Sequence, residues 1–416
     1  MPLPELRVDS SRMLADFNDL AFIGATEQGG VSRLALSNED LQARAWLADR
    51  FMDAGLIVQD DDAGNLSGIL PASEPNARTL LIGGHLDSVP NGGRYDCSLG
   101  LLTALEAVRT ISEAGLKLPV NLEIIDFTDE EGCWQSLFGS RALTGVFAYS
   151  TNGDEERDEG PFRAALFRAG IHPGDIYRAR RDPATIAGYL ELHIEQGHRL
   201  EQAGMDIGVV TGIVGRTTYR MTFQGQAAHS GTTPTAERRD ALRGAASYIT
   251  RAFQMVEEQF PKAVLNCGNV IVEPGAFNII PARARLTVEC RHIDRERLSL
   301  LEAALTDLAK TVASEHRLDI SIHQAVNMPV AHMHATMIEV IRAASDHLGL
   351  QSMPLISYAG HDAQIISGFT RTGMIFVPSL GGRSHTPSEH TEWRYVEQGA
   401  NVLLHTILRV AQGHKP

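Results

Sequence analysis

Apolar positions in the first half of the chain follow two alternating rhythms. Ser37 precedes Glu39 and Asp40, and Leu41, Trp46, Leu47 and Phe51 follow. That order predicts an amphipathic helix with an acidic first turn. Thr79 to Ile82 is a short apolar run, a buried strand, and it leads into Gly83, Gly84 and His85. Leu101, Leu105, Val108 and Ile111 recur at helical spacing. Val120 to Phe127 and Leu190 to Ile194 read as further strands, the first followed by a loop at Thr128 to Gly132. Strands alternating with helices predict a largely parallel sheet covered on both faces.

The middle of the chain changes pattern. Thr217 to Phe223 alternates as a strand does, and Leu242, Ala246, Ile249, Phe253, Val256 and Phe260 mark a long helix. Val264 to Val272 and Ala284 to Arg291 are strands. Leu298, Leu301, Leu305, Leu308 and Val312 form a second helical stripe, and Ile320 to His323 opens a last strand. The order βαββαβ is that of a two-layer, ferredoxin-like sandwich. The fold class predicted is therefore α/β in two domains. A mostly parallel sheet flanked by helices would occupy residues 1–213 and 329–416, with the sandwich inserted at 214–328. Helical positions from Ile338 to Leu348, a strand at Met374 to Val377 and a closing helix through Val396, Ala400, Leu403, Ile407 and Val410 complete the larger domain.

Length and charge narrow the function. A chain of 416 residues exceeds one ordinary core. Its formal net charge of −14 disfavours nucleic acid and anionic membrane as partners and suits small-molecule substrates. The four cysteines include no CxxC pair, so zinc ribbons and thioredoxin-like chemistry lack support. Scattered cysteines fit a reducing cytoplasm. Met1 to Leu14 lacks the apolar core of a signal peptide, and no apolar run reaches the roughly eighteen residues of a membrane span.

Polar residues gather at the strand ends. His85 follows a strand, and Asp87 stands two residues on, where its carboxylate can fix the imidazole tautomer. Asp96 ends the turn Asn91-Gly92-Gly93-Arg94-Tyr95 just before a helix. Glu130 and Glu131 sit in the loop after a buried strand; one can bind a cation while the other accepts a proton. His193 shares a strand face with Glu191 and Glu195. His385 lies in a glycine-rich loop near the C-terminus. Singly, each has a plainer explanation: a helix cap, a solvated acid, a satisfied buried histidine. Together, five nitrogen and oxygen ligands around one shared carboxylate match two divalent ions about 3.5–4 Å apart. A donor set without cysteine suits Zn²⁺, Mn²⁺, Co²⁺ or Ni²⁺ in a catalytic role.

The motifs Gly84-His85-Leu86-Asp87-Ser88-Val89-Pro90-Asn91-Gly92-Gly93, Asp129-Glu130-Glu131-Gly132, Leu192-His193-Ile194-Glu195-Gln196-Gly197, Ala228-His229-Ser230-Gly231 and Gly360-His361-Asp362-Ala363 resemble those of the M20 metallopeptidase superfamily. Within it, the chain is similar to the hydantoinase/carbamoylase amidases: N-carbamoyl-L-amino acid hydrolases, allantoate amidohydrolases and β-ureidopropionases. The resemblance implies one metal held by His85, Asp96 and His193, a second held by Asp96, Glu131 and His385, and Glu130 as the base that activates water. It implies that the inserted domain is a lid and homodimerisation domain. His229 would stabilise the oxyanion, in its own or the partner subunit's site. Asn278 and Arg291 would clamp the substrate carboxylate, with Gln196, Arg216 and Gly360 as further contacts. The expected reaction is hydrolysis of N-carbamoyl-L-amino acids to amino acid, CO2 and ammonia. Allantoate and then β-ureidopropionate are the alternative substrates, and a non-catalytic ligand-binding homologue is the rival of another class. Cys97 stands beside Asp96 where relatives usually carry glycine.

Overall fold

The computed structural model describes residues 5–96, 98–146 and 159–413; Cys97 lies outside the described residues. The chain divides into one unit of residues 1–211 and 332–416 and a second of residues 212–331.

The first unit opens with helices α1 (Ser10–Phe22) and α2 (Asn38–Asp53). The side chains of Asp9 and Ser37 accept the free N–H groups of their first turns, each such cap contributing about 1 kcal/mol. Strands β1 (Ile57–Asp60), β2 (Leu66–Leu70) and β3 (Thr79–Gly84) lead to α3 (Ser98–Glu113) and β4 (Asn121–Asp126). Short helices α4 (Phe138–Thr144) and α5 (Glu159–Arg168) precede β5 (Ile186–Ile194), α6 (Arg199–Ala203) and β6 (Ile207–Ile213).

The second unit is β7 (Gly215–Gln224), α7 (Ala241–Gln259), β8 (Val264–Glu273), β9 (Arg283–His292), α8 (Arg295–Glu315) and β10 (Asp319–Met328). The chain then returns through β11 (Ala331–His332), α9 (Ala335–His347), β12 (Ser352–Ser357), α10 (Asp362–Ile366), β13 (Thr372–Val377) and α11 (Trp393–Ala411).

Among the described residues the large sheet runs β1-β2-β4-β3-β5-β13-β6-β11, with β12 on β6. Its centre, β4-β3-β5-β13, is parallel; β1, β2 and β6 add antiparallel pairings on either side. A parallel centre must be covered on both faces. Accordingly β5 is buried at every position, and α3 is buried around its circumference from Ser98 to Ile111. That helix lies close on the sheet because Gly100 has no side chain: a Cβ there would stand 2.5 Å from the Leu192 carbonyl oxygen.

The second unit is an antiparallel sheet ordered β10-β7-β9-β8, covered on one face by α7 and α8. The strand alternation of β9 is regular, with Ala284, Leu286, Val288 and Cys290 buried. Helix α7 corrects one expectation. It buries Ala241, Gly244, Ala245, Tyr248, Ala252 and Val256, while Leu242 and Phe253 of the predicted stripe are exposed. Small residues let the helix sit close to the sheet, and Tyr248 supplies the bulk that a leucine stripe supplies elsewhere.

Candidate metal centre

The parallel strands deliver their polar residues from one edge, the carboxyl ends, where open α/β sheets place ligands. Glu130 and Glu131 follow β4, His85 follows β3, His193 is the penultimate residue of β5, and His385 lies in the loop after β13. Asp96 comes from the connection between β3 and α3.

Their ligand atoms converge in two groups that share Asp96. One oxygen or nitrogen from each of His85, Asp96 and His193 lies within 4.8 Å of the others, and so do those of Asp96, Glu131 and His385. His193 Nε2 is 3.0 Å from Asp96 Oδ1, while His385 Nε2 is 3.2 Å from Asp96 Oδ2 and 3.5 Å from Glu131 Oε1. His85 Nε2 is 3.4 Å from Glu130 Oε2.

The imidazole tautomers follow from the other ring nitrogens. His193 Nδ1 faces the Ile194 carbonyl oxygen at 2.8 Å, and His85 Nδ1 faces the Asp87 carbonyl oxygen at 3.0 Å. Each Nδ1 is thus placed to donate, and each Nε2 faces carboxylate oxygens. Lone pairs so opposed repel unless a proton or a cation lies between them. Among the described residues Asp96, Glu130 and Glu131 ion-pair only with histidines. These residues fit divalent cations: hard oxygen and imidazole donors, too many acids for the basic groups present, and tautomers set for ligation.

Burial pushes the Glu130 carboxyl well above the usual carboxylate range, despite the opposing effect of His85. Burial and the charge of Asp96 push Glu131 up to about 7. Burial acts on Asp96 in the same sense, yet His193 and His385 hold its carboxyl well below the usual range. The hydrogen bond to Asp96 raises His385.

Asp87 does more than orient His85. Its Oδ1 accepts the Glu130 N–H at 3.2 Å and its Oδ2 the Glu131 N–H at 3.1 Å. Its carboxylate thus fixes the loop bearing both glutamates, and the closer contact to the His85 ring is made by its backbone carbonyl. Asp129, Gln196 and His385 all have φ between 55° and 58°, a left-handed conformation that non-glycine residues adopt mainly where the surroundings impose it. Gln196 Nε2 donates to Asp96 Oδ2 at 2.8 Å.

Residues 81–409 match the model of Peptidase family M20/M25/M40. The chain belongs to that family. An N-carbamoyl-L-amino acid amidohydrolase of Geobacillus stearothermophilus is 34% identical over 98% of this chain and 100% of its own. An allantoate amidohydrolase of Bacillus subtilis is 32% identical over 94% and 95%. The crystal structure of a hydantoinase/carbamoylase family amidase from Burkholderia multivorans superposes with a TM-score of 0.85 at 33% identity, covering 98% and 99%. M20 proteins are metal-dependent, and the M20 resemblance and mixed α/β fold expected from the sequence are both borne out. Among the described residues no helix is long and apolar enough to cross a membrane.

The remaining expected site residues of this M20 chain lie in its second unit, apart from Gln196 and Gly360. His229 is exposed, and its Nδ1 accepts the N–H groups of Gly231 and Thr232 at 3.1 and 3.2 Å. Its proton is therefore on Nε2, which is left as a donor. Asn278 is exposed, and its backbone carbonyl accepts the Ser230 N–H. Arg216 and Arg291 stand directly opposite each other on β7 and β9. Glu289 offsets the repulsion expected of such a pair: it bonds Arg291 at 2.7 Å and lies 4.0 Å from Arg216.

Further residues, without a signal in the sequence, brace the centre. Arg33 is fully buried and donates to the carbonyls of Leu86 and Ile23 and to the Ser98 hydroxyl. Arg44 pairs with buried Asp126 at 3.1 Å. Glu389 and Ser384 surround Asp96. None follows a helical or strand period, so hydrophobic patterning carries no signal for them.

Proposed function

We propose that this chain is an amidohydrolase that cleaves the carbamoyl C–N bond of N-carbamoyl-L-amino acids. The observation that carries the reading is the pair of ligand groups sharing Asp96 with the buried Glu130 beside them. The full-length relatedness to a named N-carbamoyl-L-amino acid amidohydrolase supports the substrate class.

His85, Asp96 and His193 would hold one divalent ion, and Asp96, Glu131 and His385 a second, drawn from Zn²⁺, Mn²⁺, Co²⁺ or Ni²⁺. Such ions, when bound, supply Lewis-acid polarisation of a carbonyl and a water of lowered pKa. Glu130 takes a proton from the attacking water as the C–O bond forms. It returns that proton to the leaving nitrogen as the C–N bond breaks, and the freed carbamic acid decomposes to ammonia and CO2. Burial raises its proton affinity above that of an ordinary carboxylate, the direction that favours accepting a proton from water. Asp87 keeps the Glu130 backbone in place. His229, with its proton on Nε2, is assigned as oxyanion donor. Arg291, Arg216 and Asn278 are assigned to the substrate carboxylate, for which a guanidinium fork is suited, with Gln196 and Gly360 as further contacts.

We also assign homodimerisation to the second unit. β8 pairs with β9 alone among the described strands and exposes Val264, Val270 and Ile271 along its length, a sheet edge that proteins normally cover. Cys133, Cys267 and Cys290 are free thiols, in keeping with a cytoplasmic setting. Allantoate, a ureide carboxylate with the same recognition elements, is the second substrate reading, favoured by the allantoate amidohydrolase relative.

The test is ammonia release by the purified, Mn²⁺-loaded protein from N-carbamoyl-L-methionine, N-carbamoyl-β-alanine and allantoate. The highest kcat/KM is expected for N-carbamoyl-L-methionine. A preference for allantoate selects the second reading, and no release from any of the three overturns the proposal.

A further inference from the structure

Glu389 lies four residues beyond His385, in the same loop, and is buried. Its Oε1 accepts two successive backbone N–H groups, from Tyr95 at 2.9 Å and from Asp96 at 2.8 Å. Its Oε2 accepts the Ser384 hydroxyl at 2.8 Å. One side chain thus ties the backbone of Asp96 to the loop that carries His385, two ligands distant in sequence. The approach is close enough to require glycine opposite: a Cβ on Gly93 would fall 2.0 Å from the Glu389 carboxyl carbon.

The hydrogen-bond inventory around Asp96 Oδ2 gives Glu389 a second role. Ser384 Oγ lies 3.0 Å from Asp96 Oδ2 and 2.8 Å from Glu389 Oε2. A hydroxyl has one proton, so it serves one carboxylate at a time. The Gln196 amide has two, and divides them between Asp96 Oδ2 at 2.8 Å and Ser384 Oγ at 3.2 Å. By accepting the Ser384 proton, Glu389 leaves the Gln196 amide as the one donor to Asp96 Oδ2 besides the fellow ligand His385, 3.2 Å away.

We propose that Glu389 is the positioning residue of the shared carboxylate: it fixes the Asp96 backbone against the His385 loop and draws the Ser384 hydroxyl off Asp96. The inference rests on Asp96 as the ligand common to both ions. Outer partners of this kind typically tune metal affinity by about 10–100-fold.

Three variants separate position from charge. Glu389→Gln keeps an oxygen for both backbone N–H groups but turns an amide N–H at Ser384, sending that hydroxyl back to Asp96, whereas Glu389→Asp keeps the charge on a side chain one methylene too short. Glu389→Ala has neither. Mn²⁺ affinity and stoichiometry are measured by chelator competition on the full-length protein, without substrate. Wild type is expected to bind two ions. Glu389→Ala and Glu389→Asp are expected to weaken the more loosely held ion by about 10-fold or more, and Glu389→Gln, which loses only the Ser384 role, to fall between them and wild type. Should the alanine variant not fold, the Gln and Asp pair decides. Rescue by Asp and not by Gln overturns the proposal, as does wild-type affinity in both Ala and Asp variants. A wild type that binds two ions but hydrolyses no ureide overturns the proposed reaction and leaves this inference standing.

Discussion

At the scale of single residues, this chain relies on ionisable groups held away from water, and His405 is one outside the metal centre. It is buried on α11, its Nε2 donates to the Leu6 carbonyl at 3.0 Å, and its ring lies 5.1 Å from that of His347. Burial lowers its proton affinity below the ordinary histidine value, and His347, Arg7 and Arg409 add to that effect while the Leu6 carbonyl opposes it. The sign follows from proton counts. Below the ordinary value of 6.5 the unfolded chain takes up a proton that the folded chain refuses, so stability falls as pH drops through that window. Urea unfolding of wild type and His405→Gln should show a steeper loss for wild type between about pH 6.5 and 5. Parallel pH profiles would exclude His405 as a contributor.

At the scale of elements, the parallel strands and the sandwich order were legible because their signals are long-range in sequence and simple in period. β5 reads as a strand from Leu190 to Ile194 although it begins at Ile186, because Ala187 and Gly188 interrupt the apolar run. Helix α7 is legible as a helix, yet its apolar spacing does not mark the buried face, since Ala241, Gly244, Ala245 and Ala252 carry weak hydrophobic signals. Close packing, and not side-chain size, decides which face turns inward there. The element with the clearest consequence is β8. If its exposed edge is the dimer interface, placing Val270→Lys and Ile271→Lys together on it should halve the mass found by sedimentation while leaving the helical signal of the subunit intact. A wild-type monomer, or a variant that stays dimeric, would refute that assignment.

For the molecule as a whole, the proposed function depends on bringing together positions scattered from His85 to His385. In the sequence each proposed ligand is visible as a polar residue at a strand end or in a glycine-rich turn, but singly most have a duller explanation. Strand order β4-β3-β5-β13 brings the scattered positions together at one edge. The bracing groups were not legible, because Arg33, Glu389 and Ser384 act through contacts that no local period encodes. Asp87 was legible as a partner of His85, while its hold on the Glu130 and Glu131 backbone emerges only when the loops after β3 and β4 are placed side by side. In the proposed reaction Glu130 moves the proton at a metal centre it does not itself build. The measurement that tests it most directly is a paired assay of Mn²⁺-loaded wild type and Glu130→Gln, scoring bound metal and ammonia release from N-carbamoyl-L-methionine. Equal metal content with a fall in kcat of about 10²–10⁴-fold is expected. Turnover retained in Glu130→Gln at equal metal content would contradict the account.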